Sequence, residues 1–478
     1  MTLTDNHDPH DESFAMSRLT ATELVAAYRN FSLHPADLAR ILLTRIEAIE
    51  SEASALHAVI DVDESGLDIL SVQSEAHGPL WGIPIIVKDN IEVAGWMSSA
   101  GSDLFHDTVT ADADCVATLR SAAAIFIASA NLSEWAAAGS STLPEGYSHR
   151  GGQTLNPWNR HHSPGGSSSG SAAAVAAGLA PIALGSETVG SMTYPASHCG
   201  VYAMKATRGA ISNTGMVPYS SVQDVPAVFA RSSDDIELVM SVMLGRTLQA
   251  SSPSRVRLLD DADLDDPCQT SESLRDDYRA FLAATVERFP RGLIPRTSPG
   301  FSDRLFTALV GELHRDLDRY LQQRADSGIT NLEDLSQMQY LDLDLEDWYP
   351  YDNFRHALTV SLAEAHTARQ EAEREATEIL DTLLGDADAA AAIAVSAAPR
   401  CDGDDNPTTY TSFLDVLTSA AGWPSAIMPF TTDGGLPVGL IVIARPHRED
   451  AIISAVRQLD DTDIPMGYIS PPWTGWES

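Results

Sequence analysis

The sequence contains little lysine, little cationic charge and few cysteines. Two of its 478 residues are lysine, Lys88 and Lys205, although lysine and arginine together total 30 against 67 acidic residues. Because the resulting formal net charge of -37 repels other anions, we expect neither nucleic acid nor an anionic membrane surface as a partner. No apolar run approaches the length that crosses a bilayer.

The cysteines are far apart and lack the paired spacing of metal ligands, which predicts reduced thiols in a cytoplasmic protein without a metal or organic cofactor. Residues 1–18 are polar and acidic, with no apolar segment, and are predicted to be a disordered tail rather than a secretory signal. The four cysteines are Cys115, Cys199, Cys268 and Cys401.

The acid excess is typical of proteins from salt-loving organisms, whose surfaces are acidic, and we expect a halophilic protein. A GC-rich genome that replaces lysine by arginine is the alternative. That alternative explains the scarcity of lysine but explains the 67 acidic residues less well.

Residues 164–209 organise the chain, because two serine and glycine clusters there flank an alanine-rich run. The clusters are residues 165–171 and 185–191, and the run is residues 172–184. A flexible linker would be polar on both sides, whereas this run is apolar and suits one helix followed by a short strand. The clusters are therefore predicted to be rigid turns where the backbone approaches a ligand closely.

The motifs GGSSSGS, SETVGS, PAS and KATRG follow one another in this stretch. With further segments in the same order, they resemble the amidase signature family of serine hydrolases, and RGGQT with SETVGS is closest to its peptide amidase branch. The resemblance is good over about residues 19–236 and 389–459, and poor between them. The further segments are residues 78–102, 131–136, 150–158 and 435–444.

The resemblance implies a Ser-Ser-Lys triad that cleaves an amide through an acyl-enzyme. By position, Ser191 is the nucleophile, Ser167 the bridging serine in a cis peptide, and Lys88 the base. Such chemistry needs a nucleophile, a proton acceptor and donors for the oxyanion. The backbone donors implied by position are those of Thr188, Val189, Gly190 and Ser191.

Lys88 also stands out from composition alone. In a chain that uses arginine as its generic cation, a retained lysine indicates a site where guanidinium cannot substitute, because only lysine becomes neutral on burial. The apolar run 83–87 would bury it. The alternative is a structural lysine at a strand end that pairs with Asp89. Lys205 has no role in the pattern and is predicted to be structural.

Two departures from the family pattern concern the predicted oxyanion loop. Val189 stands where relatives carry glycine or aspartate, so a requirement for positive φ would distort the loop. Met192 and Thr193 stand where an Ile-Arg pair is common, so a carboxylate-binding arginine is absent there.

Alternating helices and short apolar strands predict an α/β protein, a single large α/β/α sandwich with a mixed sheet. Residues 19–478 would form one amidase domain, with a divergent acidic insertion of helices and loops at about 251–385 that covers the site and sets substrate choice. The predicted helices are residues 20–28, 35–51, 112–124, 305–323, 353–384, 412–421 and 449–459, and the predicted strands include 125–130, 181–184, 391–395 and 436–444.

Several other candidates favour structural interpretations. Cys199 is expected to pack in the core, the pair His161 and His162 to lie on a surface loop, and an aromatic cluster to serve packing. The cluster comprises Trp348, Tyr349 and Tyr351. The acidic run with Asp261, Asp263, Asp265 and Glu272 lacks the turn glycine of a calcium loop.

We therefore expect an amide hydrolase acting on a small-molecule or peptide amide. Three alternatives stay open: an amidotransferase subunit of the glutamyl-tRNA type, an acyl-transferring or ester-cleaving enzyme with the same triad, and a catalytically silent binding protein. The oligomeric state also stays open, with a homodimer as one alternative.

Overall fold

A computed structural model describes residues 15–51, 55–65, 78–249, 252–260, 270–324, 328–337, 351–400, 413–462 and 471. One mixed sheet of 11 strands, covered by helices, forms the centre of the molecule, which confirms the predicted α/β class. A separate two-stranded ribbon pairs β4 with β5. The strands are β1 Val59–Val62, β2 Pro84–Lys88, β3 Ile125–Ala130, β4 Tyr147–Ser148, β5 Gly152–Gln153, β6 Ile182–Glu187, β7 Tyr202–Lys205, β8 Val225–Ala230, β9 Val256–Asp260, β10 Arg291–Leu293, β11 Ala389–Ile393, β12 Ser425–Asp433 and β13 Leu436–Ala444.

The helices lie between these strands in sequence. A short 3-10 turn at Glu134–Ala137 completes the regular structure of the described residues. The helices are α1 Ala21–Arg29, α2 Pro35–Glu50, α3 Asp114–Ser121, α4 Ser169–Ala177, α5 Thr193–Cys199, α6 Ser233–Met243, α7 Glu272–Thr285, α8 Phe301–Gln323, α9 Leu332–Gln337, α10 Asp352–Ala357, α11 Leu362–Leu384, α12 Leu414–Ala421 and α13 Glu449–Asp460.

The sheet runs in the order β1-β3-β2-β6-β8-β7-β12-β13-β11-β9-β10. Its strands β3, β2 and β6 are parallel neighbours, and Val87 of β2 lies beside Leu184 of β6. All residues of these three strands are buried, which explains their nearly continuous apolar sequences. Because β2 and β6 run in the same direction, the segments that follow Lys88 and Glu187 emerge at the same edge.

The alanine-rich run forms α4, and all nine of its residues are buried. Its small side chains permit close approach of neighbouring backbone. A Cβ at Gly170 would lie 2.3 Å from the Ala58 carbonyl oxygen, so that position accepts no side chain. The helix ends at Gly178, whose φ of 73° is the left-handed conformation that glycine adopts without strain.

Several predicted elements are confirmed, including the strands over residues 125–130 and 436–444. The single helix predicted over residues 353–384 is wrong, because α10 and α11 divide it. Ser361 starts α11 with a capping box, in which its hydroxyl accepts from the Glu364 N–H and the Glu364 side chain accepts from the Ser361 N–H.

The divergent region 251–385 also enters the central sheet. Its strand β9 pairs with β11 in parallel and its strand β10 pairs with β9, so this region closes one edge of the sheet. The predicted tail begins outside the described residues, and its last residues contact the domain. Arg231 donates to the Ser17 carbonyl, and Arg18 donates to the Ala176 carbonyl.

Within the described part of the chain, no helix combines the length and apolar character needed to cross a membrane.

Candidate active site

Three of the predicted site residues form one continuous hydrogen-bonded chain. Lys88 ends strand β2, and its Nζ lies 2.8 Å from Ser167 Oγ. Ser167 Oγ lies 2.9 Å from Ser191 Oγ. A fourth hydroxyl, which sequence reasoning did not single out, completes the environment of the lysine, since Ser186 Oγ lies 2.9 Å from Nζ.

Burial decreases along this chain toward Ser191. The exposed fraction is 0% for Lys88, 1% for Ser167 and 7% for Ser191. The amine is therefore shielded from water, while the terminal hydroxyl of the chain is the most accessible of the three groups.

The segment before α4 places Ser167 between the other two groups. The Gly166–Ser167 peptide bond is cis, as the family resemblance implied. The Ser167 carbonyl accepts from the Ser133 N–H at 3.1 Å, and the Ser168 N–H donates to the Ser191 carbonyl at 3.2 Å. These backbone contacts hold the two serine clusters together.

The pKa of Lys88 is lowered from 10.5 to about 7. Burial is the largest cause, because the charged ammonium loses its hydration, and the negative charges of Asp224 and Glu187 oppose the shift. Lys88 makes no ion pair with the described carboxylates, and its Nζ contacts serine hydroxyls instead. The expected alternative of a pair with Asp89 is therefore wrong; that carboxylate accepts from Ser99, Gly101 and Ser129.

The loop from Thr188 to Ser191 carries backbone donors without partners in the fold. Among the hydrogen bonds that the described residues form, none uses the N–H of Val189, Gly190 or Ser191. Gly190 has a φ of 74°, whereas Val189 does not belong to the described non-glycine residues with positive φ. The expected strain at Val189 is therefore absent, because the neighbouring glycine adopts the left-handed conformation.

Glu187 supports the same loop from behind, and sequence reasoning missed it. One carboxylate oxygen accepts from the N–H groups of Met192 at 2.8 Å and Thr193 at 2.9 Å. The other lies 2.7 Å from Lys205 Nζ. Burial alone would raise the pKa of Glu187, but the Lys205 charge and these donors outweigh burial and lower it. This geometry agrees with the structural role predicted for Lys205.

Two more residues that sequence reasoning missed hold Thr188. Its hydroxyl donates to Asp224 at 2.6 Å, and its carbonyl accepts from the Gln223 side-chain amide at 2.8 Å. Burial raises the pKa of Asp224 to about 7, against the hydrogen bonds from Thr188, Ser220 and Tyr219. The dipeptide of glutamine and aspartate gives no sequence signal of this role without knowledge of the fold.

The remaining candidates lie away from this chain of groups. Cys199 is buried, its thiol donates to the Pro164 carbonyl, and burial raises its pKa, as expected of a core cysteine. His162 contacts the Ala398 carbonyl through Nδ1. Tyr351 donates to the buried Glu134. The other aromatic and calcium-like candidates lie outside the described residues, except for Glu272 in the first turn of α7: Asp261, Asp263, Asp265, Trp348 and Tyr349.

Comparison with known proteins was made over the whole chain. The family described as Amidase matches residues 37–275, half of the sequence. The peptide amidase of Stenotrophomonas maltophilia superposes with a TM-score of 0.85 and 29% identity, over 96% of this chain and 99% of that one.

The amidase-like subunit of the glutamyl-tRNA(Gln) amidotransferase is also similar. The protein from Deinococcus radiodurans is 40% identical over 228 residues, which are 47% of this chain and 46% of that protein. The chain thus spans about half the length of the curated relatives it matches. The structure of the corresponding Thermotoga maritima protein has a TM-score of 0.70 at 23% identity, over 96% of this chain and 98% of that one, which shows a shared fold.

The family match covers the strands and loops that carry Lys88, Ser167 and Ser191. The superposition with the peptide amidase extends over nearly all of both chains. The chain therefore belongs to the amidase family.

Proposed function

We propose that this protein is an amide hydrolase in which Ser191 is the nucleophile, Ser167 relays its proton and neutral Lys88 is the base. The observation that carries the proposal is the contact chain of 2.8 Å and 2.9 Å from Lys88 Nζ through Ser167 to Ser191. A buried lysine with a pKa of about 7 can accept a proton at neutral pH, which an ordinary lysine cannot.

The proposed reaction has two stages. Ser191 Oγ attacks the amide carbon, while its proton passes to Ser167 and the Ser167 proton passes to Lys88 Nζ. The N–H groups of the loop that ends at Ser191 receive the oxyanion. The intermediate then collapses as Lys88 returns a proton through Ser167 to the leaving amine. Water hydrolyses the acyl-enzyme by the same proton path in reverse.

We propose a C-terminal peptide amide, or a small aryl or alkyl amide, as the substrate class. Similarity to a peptide amidase over 96% of this chain supports this class. Met192 and Thr193 follow Ser191, so neither position offers a guanidinium for a free carboxylate. A neutral amide therefore suits the site better than a substrate with a free carboxylate beside the scissile bond.

The amidotransferase alternative rests on 40% identity over about half of the chain. It predicts activity only with a partner chain. The acyl-transfer alternative predicts product formation with a competing amine. The binding-protein alternative is weakened because its motive, strain at Val189, is absent from the loop.

The test is ammonia release from a panel of primary amides, including C-terminally amidated dipeptides, by the purified chain at low and multimolar salt. We expect turnover without a partner that Ser191→Ala and Lys88→Ala abolish. Turnover that increases with salt would support the halophilic hypothesis for this protein of charge -37. Silence of the folded chain toward the whole panel would contradict the proposed hydrolysis.

A further inference from the structure

Both ends of Thr188 are fixed by a neighbouring buried segment. The Gln223 amide nitrogen donates to the Thr188 carbonyl at 2.8 Å, and the Thr188 hydroxyl donates to Asp224 at 2.6 Å. Gln223 and Asp224 are 2% and 6% exposed. Water therefore competes weakly for either contact, and the Thr188 carbonyl keeps one direction.

The direction of that carbonyl determines the direction of the next N–H. A peptide unit is planar and trans, so the Thr188 C=O and the Val189 N–H point in opposite directions across one plane. The only cis bond among the described residues is Gly166–Ser167. Since the carbonyl points toward Gln223, the Val189 N–H points away from it, and it forms no hydrogen bond with the described residues.

Arg369 determines which end of the Gln223 amide faces Thr188. A guanidinium has donors and no acceptor, so the amide oxygen must face Arg369 and the amide nitrogen must face the Thr188 carbonyl. The guanidinium is itself fixed, because its Nε and Nη2 donate to the two carboxylate oxygens of Glu312 at 2.9 Å and 2.6 Å. Arg369 and Glu312 are each 5% exposed.

This contact path begins in the divergent region. Glu312 belongs to α8 and Arg369 to α11, which pack against each other, and Glu312 also accepts from the Ser220 hydroxyl. The two helices thus hold the segment that contains Gln223, and that segment holds Thr188.

We infer that Gln223 is a positioning residue that aims the Val189 N–H at the oxyanion, and that the Arg369–Glu312 ion pair sets the orientation of its amide. The inference rests on the proposed function, because it assigns the Val189 N–H to the transition state. Its contribution belongs to kcat rather than to KM, since the oxyanion exists only after attack.

The test compares Gln223→Glu and Gln223→Met with the unmodified protein on the best amide of the panel. Glutamate keeps a partner for Arg369 but turns an acceptor toward the Thr188 carbonyl, and methionine removes both contacts. We expect kcat to fall by about 10- to 100-fold while KM changes by less than about threefold, because one misdirected oxyanion donor costs up to about 100- to 1000-fold.

Arg315→Met is the matched control. Arg315 lies on α8, as Glu312 does, and donates to the Ser221 hydroxyl of the same segment at 3.2 Å, but it does not contact Gln223. We expect it to keep kcat. The double variant Arg369→Met with Glu312→Met removes both buried charges together, which avoids leaving either one unpaired, and we expect it to lower kcat as the Gln223 variants do.

A crystal structure of Gln223→Glu gives a readout that needs no activity. We expect the Thr188–Val189 peptide plane to turn from its original direction. Folded Gln223 variants with unchanged kcat, a change confined to KM, or an unturned peptide plane would overturn the inference. A wild-type protein without Ser191-dependent turnover would instead contradict the proposed function, and the peptide plane would still decide the inference.

Discussion

Lys205 Nζ lies 2.7 Å from a carboxylate oxygen of Glu187, and this ion pair separates the two lysines of the chain by chemistry. Both lysines are the last residue of a buried strand. Lys205 compensates a buried carboxylate, whereas Lys88 has serine hydroxyls as its hydrogen-bond partners among the described residues. The difference in partners makes one lysine structural and leaves the other available for proton transfer.

Lys205→Met is expected to destabilise the fold by about 3–5 kcal/mol, because it leaves Glu187 as an uncompensated buried charge. Asp415 lies near enough for the Glu187 charge to contribute, after burial, to raising the pKa of Asp415 to about 7. Chemical denaturation measures the free energy of unfolding. Arg40→Met removes the exposed pair with Asp37 and serves as the control, with an expected loss below about 0.5 kcal/mol. Equal losses for both variants would contradict the structural role of Lys205.

Ser167 and Ser186 both contact the Lys88 amine, at 2.8 Å and 2.9 Å, but only Ser167 also contacts Ser191. We therefore expect Ser167→Ala to lower kcat by about 100- to 10,000-fold, the usual contribution of proton transfer. Ser186→Ala should cost less than about tenfold, the equivalent of one neutral hydrogen bond. Steady-state kinetics on one amide decides this, and similar losses in the two variants would argue against a relay through Ser167.

The pH profile of kcat/KM should report the Lys88 amine. Because the neutral amine is the active form and its pKa is about 7, activity is expected to rise with pH through about 7 and to level off above it. One unit below the pKa, about a tenth of the molecules carry the neutral amine. A profile that rises only near pH 10 would contradict a buried neutral lysine.

Asp224→Asn provides the internal control for this profile. The Asp224 charge favours the protonated form of Lys88, so removing the charge should move the inflection to lower pH. Asp224 itself has a pKa raised to about 7, so wild type can show two overlapping ionisations where the variant shows one. An unmoved inflection in the variant would assign the profile to a group other than Lys88.

Val189 and Gly190 should respond differently to exchange of their side chains. Gly190 has a φ of 74°, and a Cβ there would lie 2.1 Å from the Tyr194 ring, so Gly190→Ala should displace the loop and abolish activity. Val189 has no positive φ to relieve, so Val189→Gly should leave kcat within about threefold. Kinetics with matched thermal unfolding measurements would check both, and a large gain from Val189→Gly would restore the hypothesis of a strained loop.

Local patterns predicted much of the fold. Thr20 and Glu23 form the capping box that their spacing indicated, and strand β3 begins and ends where its apolar run does. The break before Ser361 was missed although a serine followed by Glu364 signals a helix start, because the surrounding residues are good helix formers on both sides. The cap was a readable local signal.

The parts of the site that could not be predicted depend on contacts between distant segments. Glu187 meets Lys205 through adjacent ends of different strands, and Gln223 meets Arg369 across more than a hundred residues. No periodicity or spacing encodes such a meeting, since it follows from strand order and helix packing. The serine and lysine motifs were predictable because each carries its own composition signal.

Helix α4 has a consequence for the mutational tolerance of the chain. Its nine residues are serine, glycine, alanine and valine, and every one is buried, so the helix lacks the permissive face that an amphipathic helix offers to substitution. Enlarging any position by a few methylene groups forces neighbouring backbone apart. In saturation mutagenesis, α4 should therefore appear as an unbroken intolerant block without helical periodicity, and engineering of this protein would be better directed to its acidic surface.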